Sequence, residues 1–234
     1  FMCASVAEVL DKEFGKKLWS DDVYIIDPCT GTGNFIVNLI RRIPKAKLED
    51  AYKHRMFANE IMLLPYYIAA LNIEHAYWEQ SGKYEGFEGL CFVDTLDLAE
   101  HAQAELGFMT LKNTERVERQ KNSPITVVIG NPPYNSNQAN ENDNNKNRKY
   151  PLIDRRIKET YVASSSATLK AKSYDPYWRF LRWASDRLEN RDGIVCMITN
   201  NGFVEAKSGD GLRKHLHRDF HQIYHFNFKG NARQ

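Results

Sequence analysis

A doubly wound α/β sheet is the fold class that three features of this 234-residue sequence predict. Short apolar runs alternate with stretches carrying apolar residues at helical spacing, the pattern of a parallel sheet with helices on both faces. Four of those runs stop at a polar or acidic residue: Val23–Asp27, Met56–Asn59 before Glu60, Leu90–Val93 before Asp94, and Ile125–Ile129 before Gly130 and Asn131. Open α/β sheets bind ligands beyond the carboxyl ends of their strands, so these residues fall where a site belongs. Finally, the first run passes straight into Pro28-Cys29-Thr30-Gly31-Thr32-Gly33, a turn whose glycines let backbone approach a ligand closely.

The elements follow in order. Val6–Leu10 reads as the tail of a leading helix, and the first strand covers Val23–Asp27. Phe35-Ile36-Val37-Asn38-Leu39-Ile40 has helical potential, and its helix runs to about Arg42, stopped by Pro44. A second helical stretch near Lys47–Arg55 leads to the strand Met56–Asn59. Residues 61–78 carry helical periodicity, with Pro65 tolerated in the first turn. A Gly- and charge-rich loop over 79–89 precedes the third strand, Leu90–Val93, and helical patches fill 97–120. The fourth strand, Ile125–Ile129, stops at two prolines. Tyr177, Phe180, Leu181, Ala184 and Leu188 recur at spacings of three and four, predicting an amphipathic helix over 174–189. Asp192-Gly193 turns into a fifth strand, Ile194–Ile198; a helix near Gly211–Arg218 and a sixth strand near Gln222–Phe226 complete the pattern.

Two motifs carry chemistry. At the first strand end, Asp27-Pro28-Cys29-Thr30-Gly31-Thr32-Gly33 is neither Gly-x-Gly-x-x-Gly nor a Walker loop. An acid there repels a pyrophosphate and suits a cation, such as an amino group. At the fourth strand end stands Asn131-Pro132-Pro133-Tyr134. The amide oxygen and a proline-held carbonyl can accept hydrogen bonds from an amino group, and the ring can stack on a flat base. Taken alone, the second motif is equally a Pro-Pro turn with a packing tyrosine, and each strand-end acid is equally a helix cap.

In this order the two motifs, with Asn59-Glu60, Asp94 and the stretch Tyr66–Glu74, resemble the S-adenosylmethionine-dependent amino-methyltransferases. More narrowly, they resemble the adenine-specific DNA methyltransferase module of large single-chain, type ISP-like restriction–modification enzymes. The resemblance covers nearly the whole chain. It implies a Rossmann-like methyltransferase sheet, here reaching six strands and ending before the last antiparallel one. It also implies roles. Asp27 holds the methionine amino group, directly or through water, and Pro28, Thr30, Gly31 and Gly33 border the cofactor. Glu60 takes the ribose hydroxyls, and Asp94 takes the adenine amino group, with Ile61 and Phe92 sandwiching the ring. Asn131 and the Pro132 carbonyl hold the target amine, Pro133 fixes the loop, and Tyr134 stacks on a base flipped out of double-stranded DNA. Asn at position 131 leans towards adenine without excluding cytosine. The implied partners are that duplex and the nuclease, helicase and target-recognition regions of the same parent chain. A chain that starts at Phe1 is then expected to be a piece of something longer, with residues 1–234 forming its methyltransferase domain.

Residues 135–149 are polar and rich in Asn, and basic residues follow. Such composition buries no core, so 135–173 reads as a mobile insertion within the domain. Its cations, Lys146, Arg148, Lys149, Arg155, Arg156, Lys158, Lys170 and Lys172, are candidates for DNA phosphate contacts, or equally a solvated surface. A net charge of +2 with 26% charged residues is an ordinary globular balance, so any basic surface is local. Four widely spaced cysteines, without a Cys-x-x-Cys pair, argue against a structural zinc site and read as reduced thiols of a cytoplasmic protein, and the resemblance implies a bacterial or archaeal cytoplasm. No run approaches a membrane span. Three other functions compete. Methylation of a glutamine amide in a translation factor would use the same Asn-Pro-Pro-Tyr loop, but the long insertion after Tyr134 argues against it. A non-catalytic binding module would not need both motifs. A nicotinamide dehydrogenase would need a different glycine pattern.

Overall fold

A computed structural model describes residues 1–98, 111–133, 149–167, 174–189 and 191–228. Five strands form one parallel sheet: β1 (Ile25–Asp27), β2 (Met56–Glu60), β3 (Leu90–Phe92), β4 (Val127–Gly130) and β5 (Ile194–Met197). Their order, β3-β2-β1-β4-β5, reverses direction between β1 and β4. That is the switch point at which a doubly wound sheet opens a crevice. Ile25 faces Met56 on one side and Val127 on the other, so the ends of β1, β2 and β4 stand close to level.

Strand alternation explains why both faces must be covered. Ile25, Ala58, Leu90, Val127 and Ile129 enter one core. This core is filled by α1 (Met2–Phe14), α2 (Asn34–Ile40) and α4 (Leu63–Ser81), through residues such as Leu10, Leu39 and Ile73. Ile26, Phe57 and Val128 point the other way, against Ala184 and Leu188 of α8 (Pro176–Leu188). Burying each such aliphatic side chain contributes about 1.5–3 kcal/mol. The short helix α3 (Lys45–Asp50) and a π turn at Ala51–Arg55 lead into β2. Beyond β3, α5 (Thr95–Leu98) starts at once, and α6 (Leu111–Asn122) packs Val117 on Cys91 and Val93.

The sequence pattern holds at α8, where Tyr177, Phe180, Leu181, Ala184 and Leu188 are all buried, and at α4, where Pro65 lies in the first turn. Two expectations need correction. Gln222–Phe226 forms no strand; Ile223, Tyr224 and Phe226 are more than half exposed, and no ladder with a described residue holds them. The supposed mobile insertion contains α7 (Pro151–Ile157) and a π turn at Lys158–Val162. Tyr150, Ile153, Ile157 and Tyr161 are buried there, because apolar residues three or four apart make one helical face. Residues 135–148 and 168–173 of that stretch lie outside the described residues.

After β5 come α9 (Gly202–Glu205) and α10 (Asp210–Asp219). Arg182 ties this half together. Its buried guanidinium pairs with Asp186 at 2.8 Å and Asp219 at 3.0 Å, and lies 5.6 Å over the Tyr161 ring. All four cysteines carry free thiols, Cys3 and Cys91 buried, Cys29 and Cys196 half-buried. Among the described residues, no helix is long and apolar enough to cross a membrane, and no cluster of side chains could hold a metal ion.

Candidate functional site

Asp27 ends β1 and is fully buried. Its Oδ1 accepts the Cys29 N–H at 3.1 Å. Its Oδ2 has no hydrogen-bond partner among the described residues. The Thr30 hydroxyl lies beside this carboxyl but outside hydrogen-bond geometry. Burial, reinforced by the nearby Glu60 carboxylate, pushes the Asp27 pKa up to about 7. An unsatisfied buried acceptor is costly, and such sites in native proteins call for an explanation.

Gly31 and Gly33 both adopt left-handed backbone, φ 56° and 86°. Only glycine does so without strain. Their surroundings differ. A Cβ on Gly33 would sit 3.0 Å from Ile73 Cγ1 of α4, whereas a Cβ on Gly31 would meet nothing within 4 Å. Gly33 is therefore a packing residue, and Gly31 borders open space. Glu60, at the end of β2 and buried, braces the same turn. Its Oε2 accepts the Gly31 N–H at 2.8 Å and its Oε1 accepts the Met62 N–H at 2.7 Å. Each oxygen keeps acceptor capacity for a ligand.

Beneath the turn lies a buried polar chain. Thr95 Oγ1 donates to the Pro28 carbonyl at 2.5 Å and accepts from Asn59 Nδ2 at 2.9 Å. Gln120 Nε2 donates to Asn59 Oδ1 at 2.8 Å, and the Asn59 carbonyl accepts the Thr30 N–H at 2.9 Å. The β1 turn is thus fixed by residues from β2, α5 and α6. Thr95 and Gln120 carry no motif, and sequence reading missed them.

Asp94 follows β3. Its Oδ1 accepts the Leu96 N–H at 3.0 Å, as a helix cap does, and its Oδ2 accepts the Tyr150 hydroxyl at 2.9 Å. Ile61 is partly exposed just after β2, and the half-buried Phe92 ring meets Tyr66 edge-on at 5.4 Å. Asn131 follows β4 with its side chain exposed; Pro132 is buried and Pro133 exposed. Gly130 lets the two motifs touch. A Cβ there would sit 3.2 Å from Pro28 Cδ and Cys29 Sγ and 3.3 Å from Asp27 Oδ1. Burial raises the pKa of the Cys29 thiol well above the usual value, and the neighbouring Asn131 backbone partly offsets this. Asp27, Glu60, Asp94 and Asn131 therefore stand at the carboxyl ends of four neighbouring strands, with Asp27 and Asn131 flanking the switch point.

Tyr134, Lys146, Arg148, Lys170 and Lys172 lie outside the described residues. Lys149 and Arg155 are exposed. Arg156 is engaged, gripping Asp186 with two nitrogens at 2.8 and 3.0 Å. That contact competes with any phosphate.

A family profile for the Eco57I restriction-modification methylase matches residues 51–232. The chain belongs to that family. Solved structures agree with it. A DrdV–DNA complex is 52% identical, with a TM-score of 0.88 over 94% of this chain and 21% of its own. LlaBIII, an ATP-dependent type ISP restriction-modification enzyme bound to DNA, is 40% identical, with a TM-score of 0.85 over 92% of this chain and 15% of its own. A nuclease-deletion mutant of the type ISP enzyme LlaGI, with a DNA substrate mimic, is 41% identical, with a TM-score of 0.88 over 94% and 19%. The type IIG endonuclease BpuSI, at 15% identity and a TM-score of 0.51, shares the fold. No curated protein sequence matches. This Eco57I-family chain spans about a fifth or less of the solved relatives' length. The family is one of methylases, which implies a methyl donor, and its structural relatives are restriction–modification enzymes.

Proposed function

We propose that this chain transfers a methyl group from S-adenosylmethionine to the exocyclic amino group of adenine in DNA, as the modification module of a restriction–modification enzyme. The observation that carries the reading is Asp27: a fully buried carboxyl with one oxygen unpartnered among the described residues, at the switch point, beside an open left-handed glycine turn. A ligand ammonium supplies the missing partner. The residues present therefore fit this cofactor, which when bound supplies an electrophilic methyl on a sulfonium.

The chain's own residues do the rest by positioning. Asp27 Oδ2 accepts from the methionine ammonium. Glu60, already aimed by two backbone N–H groups, accepts from the ribose hydroxyls. Asp94 accepts from the adenine amino group of the cofactor. Asn131 Oδ1 and the Pro132 carbonyl accept the two N–H bonds of the target amine, which aims its lone pair at the methyl. Held by these residues, the cofactor would supply its methyl to the amine nitrogen and would leave as the neutral thioether; the amine proton would pass to water afterwards, so the chain needs no strong base beforehand. A base in a duplex must first leave the stack, and Tyr134 is the residue assigned to receive it.

Labelled S-adenosylmethionine, offered with duplex DNA or with a translation release factor, tests this reading. Label is expected in DNA, on adenine N6, and Asn131→Ala is expected to abolish it while cofactor binding persists. Label in the protein instead, or full DNA methylation by N131A, would overturn it.

A further inference from the structure

Asp94 does more than cap a helix. A cap needs one carboxylate oxygen, and Leu96 N–H uses Oδ1. The second oxygen is taken by the hydroxyl of Tyr150, 56 residues further along the chain. That hydroxyl is not a chance neighbour. The Tyr150 ring is buried against Leu96, Ile153 and Phe180. The Arg179 guanidinium lies 5.2 Å over its centre. Arg179 is itself fixed by Asp154 through bonds of 2.7 and 3.1 Å, and Asp154 also accepts the Tyr150 backbone N–H at 3.1 Å. Pro151 then fixes the backbone at the first position of α7. Ring, backbone and hydroxyl are all held, so the hydroxyl holds the carboxylate in turn.

We propose that Tyr150 is a positioning residue for cofactor selection: with Leu96 N–H it locks the Asp94 carboxylate so that its remaining acceptor sites face the cofactor base. This rests on the role given to Asp94 above. A carboxylate held at both oxygens presents only acceptors to the base edge. It favours an amino group, which donates, and rejects a keto oxygen, which also accepts. A carboxylate free to rotate discriminates less, because it can turn away from the mismatch. The stretch that follows the Asn-Pro-Pro-Tyr loop thereby helps to choose adenine as the cofactor's base, joining two parts of the site that sequence keeps far apart.

Calorimetric titration of the full chain with S-adenosylhomocysteine, and with its analogue carrying hypoxanthine in place of adenine, tests the idea. Tyr150→Phe keeps the ring and its stack on Arg179 and loses only the hydroxyl. The Y150F variant is expected to bind the adenine form about 5- to 10-fold more weakly, the net scale of one ordinary hydrogen bond, because the contact to the base is loosened rather than removed. Its affinity for the hypoxanthine form is expected to stay unchanged. In an Asp94→Asn background the same substitution is expected to leave the ratio of the two affinities alone. Equal loss for both ligands would mark a structural role, and no loss for either would mark no role; both outcomes overturn the proposal, as does an unchanged Y150F effect in the D94N background. Failure of the unsubstituted chain to bind the adenine form would overturn the cofactor reading itself, and this inference with it.

Discussion

Burial holds the Asp27 carboxyl near 7, whereas in an unfolded chain it ionises near its ordinary 3.8. Between those values the unfolded chain releases a proton that the folded chain keeps. The contribution of this group to stability is therefore fully present below about pH 4 and is lost as pH rises through about 7. A shift of this size corresponds to a cost on the order of 4 kcal/mol once the group is charged. Asp27→Asn removes the charge and is expected to raise the melting temperature by about 10 °C at pH 8. Scanning calorimetry at pH 8 and pH 4 checks this; a gain of equal size at both would contradict the assignment. The same substitution is expected to weaken S-adenosylmethionine binding roughly ten- to a hundredfold, the loss of a charge-assisted hydrogen bond. In the unsubstituted chain that affinity is expected to improve as pH rises towards 7 and to fall again above about 8, because the pair needs both the carboxylate and the protonated α-amino group. Stability is given up at the position proposed to hold the cofactor's ammonium.

Elements show which parts of the site were legible beforehand. β1, β2, β3 and β4 each end within two residues of the strand ends read from apolar runs, because a buried parallel strand needs an unbroken apolar stretch and a polar stop. Sequence could not separate Gly31 from Gly33, since both lie in one turn. Their difference is set by α4, some 40 residues later, where Ile73 closes on Gly33 alone. Gly33→Ala is thus expected to cost about 2–4 kcal/mol, from left-handed strain and overpacking together. Gly31→Ala is expected to cost about 1–2 kcal/mol, from strain alone. Urea titrations of both variants give the comparison, and equal midpoints would refute it. The brace of Thr95 and Gln120 was illegible for a like reason: single hydroxyl and amide groups acquire a role only when β2, α5 and α6 converge. Tyr150 was hidden by composition, because the polar run before it made its surroundings look like loop. The strand expected at Gln222–Phe226 has no described strand to pair with, and a strand without a neighbour is not stable in water.

At the scale of the whole molecule, two apolar layers hold the sheet, and an ionic knot ties α8 to α10 and the π turn at Lys158–Val162. Replacing Arg182 by alanine is expected to destabilise the fold by about 3 kcal/mol, because Asp219 and the Tyr161 ring lose a buried partner. Arg182→Met is expected to cost less, since it keeps the stem's packing. Equal melting temperatures for the two variants would assign the whole effect to charge. The thiols have a different consequence. Burial raises the pKa of each, to about 12 for Cys91 and about 11 for Cys196. Cys3 and Cys29 are raised as well. Alkylating reagents attack the thiolate, so the native chain should react slowly even at mildly alkaline pH. Labelling is then clocked by how often each region opens. The buried Cys91 and Cys3 report opening at the β3 edge and at α1, whereas the half-buried Cys29, beside the switch-point crevice, and Cys196, on β5, set the closed-state baseline, so mass spectrometry of partially alkylated protein would read all four sites from one untagged sample.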